Sequence, residues 1–276
     1  MHVACLLVIW SGVSWTAIIV CAITVVVRMF AVTGGYHRYF SHRTYKTSRP
    51  FQFILGLLGT TAVQKGPLWW AALHRDHHRY SDTPKDIHSP VTRGFWWSHI
   101  GWILCSKYTR TDFKAIPDLA KFPELRFLNR YHLIGPVSLA VGLFLLGWVL
   151  QKMAPGLHTS GLQLLTWGFF ISTIILAHCT YTVNSLAHVI GRRRFATGDE
   201  SRNSWLIAMI TLGEGWHNNH HRYPGSERQG FYWWEIDVTH YILKLLSWVG
   251  LVWDLREPPE EIYVEASQTK RMAKAA

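Results

Sequence analysis

The sequence predicts an all-α integral membrane protein of about four transmembrane helices, the first one truncated, with a cytoplasmic helical cap that carries a histidine-rich site for two metal ions. Three observations predict it. Of 276 residues, 49% are hydrophobic and 15 are Trp, more apolar than a soluble domain requires. Three apolar runs are of the length that crosses a bilayer. Nine of the 16 histidines gather in clusters that lie at the ends of those runs or outside them.

In chain order, residues 2–12 form an apolar stub too short to cross, and Ser11-Gly12 reads as a turn into the first full span, 15–34, whose run Trp15 to Val32 is almost wholly apolar. The stub reads as the remaining half of a truncated hairpin partner. A secretory leader would need a basic n-region and a cleavage site, and neither precedes the next apolar run. Spans 133–151 and 162–187 form a hairpin through a link holding Pro155, Gly156 and Gly161. That link carries one cation, Lys152, whereas His37 to Arg130 carries fifteen Lys and Arg, so the positive-inside rule places the long stretch in the cytoplasm. Residues 37–130 and 188–256 are therefore assigned to the cap, and 1–256 to one membrane domain. Tyr241 to Trp253 reads as an amphipathic surface helix, and 257–276 as a polar C-terminal tail without a stable fold.

Phe51 to Val63 decides the topology by parity. If this short apolar segment crossed the membrane, the histidines before and after it would lie on opposite faces; if it only dips, they share one face. Two spans then return the chain to that face before His188, and Trp205 to Leu212 is too short to leave it again.

The formal charge of +11 does not imply a nucleic acid, because cations follow the cytoplasmic loops of membrane proteins in any case. Cys5, Cys21, Cys105 and Cys179 have neither CxxC nor ligand spacing, which excludes a disulfide framework and a thiolate metal site as the organising feature.

The histidines carry the chemistry. The clusters read His37-Arg-Tyr-Phe-Ser-His42, His74-Arg-Asp-His77-His78 and His217-Asn-Asn-His220-His221, with His188 as a ninth. On a helix, residues three and four apart share a face, so each of the latter two clusters can present three imidazoles toward one point. Adjacent imidazoles repel when protonated and are costly to bury unpaired, so such clusters persist when a cation keeps them neutral and ligated. Nine nitrogens exceed the needs of one four-coordinate ion, so two metals are expected; imidazole suits zinc, copper, iron and nickel alike. His2, His88, His99, His132, His158, His178 and His240 read as packed or hydrogen-bonded residues.

These clusters resemble those of the membrane fatty acyl desaturases, bacterial type, the family of the delta-9 acyl-CoA and acyl-lipid desaturases. HRYFSH at 37–42, HRDHH at 74–78, NSLAH at 184–188 and EGWHNNHH at 214–221 follow the family's order and spacing, and the resemblance covers about residues 14–255. It implies that the nine histidines ligate two iron ions (Fe2+) and that Asn184 holds a water on one of them. It also implies a reaction with O2 and two electrons that inserts a cis double bond, at delta-9, into a saturated acyl chain. The bacterial type of the resemblance implies an inner-membrane location, and the positive-inside reading puts the metal site on its cytoplasmic side.

By the same resemblance, Gln64, Trp70 and Thr180 bend an apolar acyl tunnel, Val25 and Met29 stand at its closed end, and Lys107 stands near the headgroup. Ala72 and Leu73 replace an Arg-Asp pair that contacts coenzyme A in the animal acyl-CoA enzymes, so an acyl-lipid substrate stays open beside acyl-CoA and acyl-carrier protein. No haem, flavin or nucleotide motif is present, so a separate carrier is expected to bring electrons, with ferredoxin, rubredoxin or a b-type cytochrome as candidates. Two rival readings differ in outcome: a membrane di-iron hydroxylase of the same superfamily, and a metal-binding or transport protein. The latter would want a polar path through spans that offer little beyond Arg28 and a few hydroxyls.

Overall fold

The computed structural model describes residues 1–275, with side chains through residue 268. Among the described residues three helices are long and apolar enough to cross a membrane: α1 (Trp15–Ser41), α5 (Ile134–Met153) and α6 (Gly161–His188). Between α1 and α5 lie α2 (Arg49–Thr60), α3 (Pro67–Tyr80) and α4 (Pro123–Arg130); after α6 come α7 (His217–Arg222), α8 (Val238–Trp248) and α9 (Glu260–Ala275). A two-residue antiparallel pair, β1 (Lys46–Thr47) with β2 (Val252–Trp253), ties the chain after α1 to the chain after α8.

The fourth helix of the expected set is not a span. Val3–Leu7 and Val8–Ser11 make a helical stub about 15 Å long, half of what a crossing requires. It packs on the first half of α6, whose indole Trp167 Nε1 donates to the Gly12 carbonyl (2.9 Å). Of the tail expected over 257–276, the described residues, through 275, also differ from the expectation of an unfolded segment. Over Glu260–Ala275 they are helical, because Ile262 and Ala266 bury against Phe195 and Phe231 while Arg222 pairs with Glu265 at 2.5 Å. The polar composition concealed two apolar positions four apart on one face.

α1 and α6 run parallel. At one end Ser14 caps α1 and donates to Gln163 Oε1 (2.6 Å) near the start of α6; at the other end the two helices deliver His37 and His188. At 27 and 28 residues each is about 40 Å long, some 10 Å more than the hydrocarbon core, whereas α5 with 20 residues just matches it. The last eleven residues of α1, Ala31–Ser41, form a π-helix, all of it buried. α2 begins at Ser48, whose Oγ accepts from Phe51 N (3.4 Å), with Pro50 in its first turn; at about 18 Å it is also too short to cross. It packs along α1 and against the start of α5, and α3 returns along α1.

The α5–α6 hairpin depends on close backbone approach. A Cβ on Gly147 would stand 2.3 Å from the Ser160 carbonyl oxygen and 2.9 Å from Gly161 Cα, which are main-chain atoms that cannot swing aside. Gly147→Ala is therefore expected to lower the thermal midpoint of the detergent-solubilised protein, with a loss of about 1–3 kcal/mol, whereas Gly142→Ala, which meets open space, should not. Equal midpoints for the two variants would show that the hairpin does not rest on this contact.

Candidate metal centre

The first histidine pair shows how the π-helix matters. In an α-helix, residues five apart point about 140° away from each other. The i→i+5 closure, seen in His42 N–H donating to the His37 carbonyl (3.3 Å), widens the turn and brings both rings to one side, with centroids 5.0 Å apart. His74 and His78, four apart on α3, face them: His42 Nε2 lies 2.8 Å from His74 Nε2, and His78 Nε2 3.0 Å from His74 Nε2. His220 closes the group, its Nε2 2.9 Å from both His37 Nε2 and His78 Nε2.

The nine histidines thus divide into two groups able to hold a metal ion: His37, His42, His74, His78 and His220 in one, His77, His188, His217 and His221 in the other. The sequence suggested that each three-histidine cluster converges on one point, but each cluster splits. On α3 the i,i+4 pair His74/His78 serves the first group and His77 the second. On α7 the i,i+4 pair His217/His221 serves the second and His220 the first. His188 reaches its group, Nε2 3.0 Å from His217 Nε2, through a single 3-10 turn (Leu186–His188) after the α-helical part of α6. The tighter turn breaks the i,i+4 relation expected between Asn184 and His188; Asn184 lines a cavity beside His74 and His88.

A ring of carboxylates surrounds the imidazoles, and the sequence reading did not single these residues out. His77 Nδ1 meets Asp86 (3.1 Å), His188 Nδ1 meets Asp82 (2.8 Å), His221 Nδ1 meets Asp199 (2.5 Å), and His37 Nδ1 meets Glu214. A carboxylate at Nδ1 fixes the proton there and leaves Nε2 bare and pointed inward. Burial, then the neighbouring imidazoles, holds His42, His74, His78, His217 and His220 well below the usual imidazole range, so they are neutral. Burial likewise lowers His221 to about 4. For His77 burial also opposes the charge, but Asp86 outweighs it and the shift is upward. Burial opposes ionisation of Asp86, Asp199 and Glu214 too, yet their imidazole partners, with Arg38 beside Glu214, bring all three below the ordinary carboxylate range.

The acids are in turn anchored. Arg38, 1% exposed, donates to Glu214 Oε1 (3.1 Å), Asp237 Oδ1 (2.9 Å) and the Glu227 carbonyl (2.7 Å). Arg75 clamps the end of α1 through the carbonyls of Phe40 (3.1 Å) and Ser41 (2.9 Å), and pairs with Asp118 (2.7 Å). Glu214 lies three residues before His217, which was the local signal available for it; Asp82, Asp86 and Asp199 sit in loops with no such pattern. His88, expected to be a packed or hydrogen-bonded residue, packs with its ring centroid 4.3 Å from that of His77 and groups with His77 and Asp86.

The arrangement fits metal ions. Bare Nε2 lone pairs about 3 Å apart repel one another, and that is the spacing of two nitrogens each about 2.1 Å from one ion and at right angles. His221 Nε2 is buried with no protein partner, as a ligand aimed at a cation would be.

Against the first group lies an apolar cavity. Its corner is a chain of hydrogen bonds: Trp70 Nε1 donates to Gln64 Oε1 (3.1 Å), and Gln64 Nε2 to Thr180 Oγ1 (3.2 Å). Trp70 also stacks on His74 at 4.9 Å, so corner and metal group are in contact. Met29 is buried with Val32, Ala62 and Leu176 in a cluster on which Trp70 packs; Val25, a turn earlier, is half-buried. Lys107 is exposed beside Tyr108 and Cys105, which line the cavity. Ala72 is buried in the core, and Leu73 lines the cavity with an apolar side chain.

Comparison with known proteins agrees with this geometry. The fatty acid desaturase family model matches residues 13–249. The chain is 39% identical to the acyl-CoA C20 Delta5-desaturase of Anemone leveillei, over 94% of this chain and 80% of that protein. It is 37% identical to the sn-1 stearoyl-lipid 9-desaturase of Anabaena variabilis, over 89% and 86%, and 35% identical to the Delta-9 acyl-lipid desaturase 1 of Arabidopsis thaliana, over 99% and 84%. Two imidazole groups, one of them against an apolar cavity, in a chain with three membrane-length helices are thus those of a member of the fatty acid desaturase family, an oxidoreductase that acts on fatty acyl chains.

Proposed function

We propose that this desaturase inserts a cis double bond at delta-9 of a saturated acyl chain presented as an acyl-lipid or acyl-CoA, with O2 and two electrons from a separate carrier. The observation that carries this reading is the contact between the Gln64–Trp70–Thr180 corner and the five-histidine group, because a bend next to the metals selects one carbon pair of an otherwise uniform chain. Relatives named for both acyl-CoA and acyl-lipid substrates support leaving both headgroups in the proposal, and those named as 9-desaturases support the position. Ala72 and Leu73 offer a headgroup no polar contact, whereas Lys107 offers a cation.

In this reading the nine histidines hold two iron ions, which supply the activation of oxygen when bound. The protein's own residues do the rest. Asp82, Asp86, Asp199 and Glu214 hold the imidazoles in the tautomer that ligates, Asn184 positions a water on one of the two irons, and the apolar wall excludes solvent from the reacting carbons. The closed end is formed around Met29 with Val25 above it. An electron carrier, of the ferredoxin, rubredoxin or b-type cytochrome class, meets the face that carries the histidines, which the positive-inside argument puts in the cytoplasm, in a bacterium at the inner membrane.

Three measurements test the proposal. Expression of the full chain in a host with known lipids should yield new monounsaturated acyl chains, and the purified protein should hold two irons; hydroxy acids in their place, or metal uptake with unchanged fatty acids, would refute it. Asp199→Asn is expected to weaken iron binding about 10–100-fold through loss of the His221 tautomer; a wild-type iron titration would remove that role. Trp70→Ala should shift the double-bond position or slow the reaction while iron content is kept, so a normal product made at the normal rate would remove Trp70 from the corner.

A further inference from the structure

Arg28 stands mid-way along α1 and is 2% exposed. A guanidinium buried within a span is expensive, and among the described residues this one has no carboxylate partner. Its hydrogen bonds go to the carbonyls of Thr24 (3.1 Å) and Thr61 (3.1 Å) and to the hydroxyls of Thr173 (2.8 Å) and Ser172 (2.6 Å). The Thr61 carbonyl is one of the orphan acceptors at the C-terminal end of α2, where the helix dipole favours a cation, so Arg28 caps α2 from a neighbouring helix.

Directly after Thr61 the backbone is strained. Val63 and Lys65 both have φ of 61°, a conformation that a β-branched residue rarely adopts. Gln64, the hinge of the cavity corner, sits between them. On α6, Thr173, Leu176 and Thr180 are spaced three and seven apart and share one face. The turn at 61–64 and this strip of α6 are therefore linked twice, about 10 Å apart along the helix. Arg28 joins Thr61 to Thr173, and Gln64 joins Thr180 directly. Leu176, Ala62 and Met29 fill the space between the two links.

We propose that Arg28 is a positioning residue for regiochemistry: it holds the strained turn at the distance from α6 at which Gln64 and Thr180 meet, and so fixes which carbon pair lies at the bend. This rests on the desaturase reading of the cavity. The clamp is built from a guanidinium because its fork donates to two carbonyls and two hydroxyls at once, and a neutral carboxamide has only two N–H donors.

The test uses the full chain in a host that lacks other oxygen-dependent desaturation, with double-bond positions read by mass spectrometry and iron counted per purified chain. In Arg28→Gln the share of product displaced from the wild-type position should rise about tenfold, the scale of one or two lost hydrogen bonds, with iron content unchanged. Thr173→Val removes one acceptor only and should move the same share by a smaller factor; it decides the matter if Arg28→Gln does not accumulate. Less protein and less product with an unchanged positional profile in the variant that accumulates would overturn the proposal. Absence of any double bond from the wild-type chain would instead sink the desaturase reading, so the two failures are separate.

Discussion

Nine imidazoles in one buried volume are compatible with a folded chain only if they are neutral and their bare nitrogens meet something positive. That constraint organises the rest of the molecule. Burial keeps His42, His74, His78, His217, His220 and His221 neutral, four carboxylates at Nδ1 positions orient the rings they meet, and Glu214 is tolerated inside because Arg38 balances it. Each histidine cluster has its own adjacent arginine, Arg38, Arg75 or Arg222, and each of these pairs with an acid. Where a carboxylate holds Nδ1, the Nε2 atom of the same ring is left over for the metals.

Helix geometry does the remaining placement. Two parallel spans longer than the bilayer core carry His37 and His188 beyond its edge, a π-helical end turns His37 and His42 to one side, and two short helices each divide their histidines between the two groups. The meeting of His42 with His74 is the parity argument in physical form: the segment between them, α2, is a short helix that does not carry the second cluster away from the first.

The same economy holds on the acyl side. Gln64, Trp70 and Thr180 come from a turn, a helix and a span, and one chain of hydrogen bonds makes them a corner. A buried cation in the first span, with only neutral oxygens around it, ties together the elements that bear two of the three. Here the positive-φ turn is not an isolated oddity, because its neighbours on both sides are held by side chains from other helices.

What the sequence determined alone is whatever rests on local pattern: three apolar runs of crossing length, the excess of cations in one long loop, and histidines at spacings that only a cation makes tolerable. Those follow from the period of a helix and from the chemistry of imidazole, and both are written within a few residues. The N-terminal stub falls short of a crossing for the same local reason, its length. Tertiary structure decided the rest: the splitting of each cluster between two groups, the pairing of His188 with Asp82 and of His221 with Asp199, the packing of His88 on His77, and the helix over Glu260–Ala275. An acid 106 residues away in the chain leaves no mark on the sequence around His188, since only the packing of α6 against the loop after α3 brings the two together.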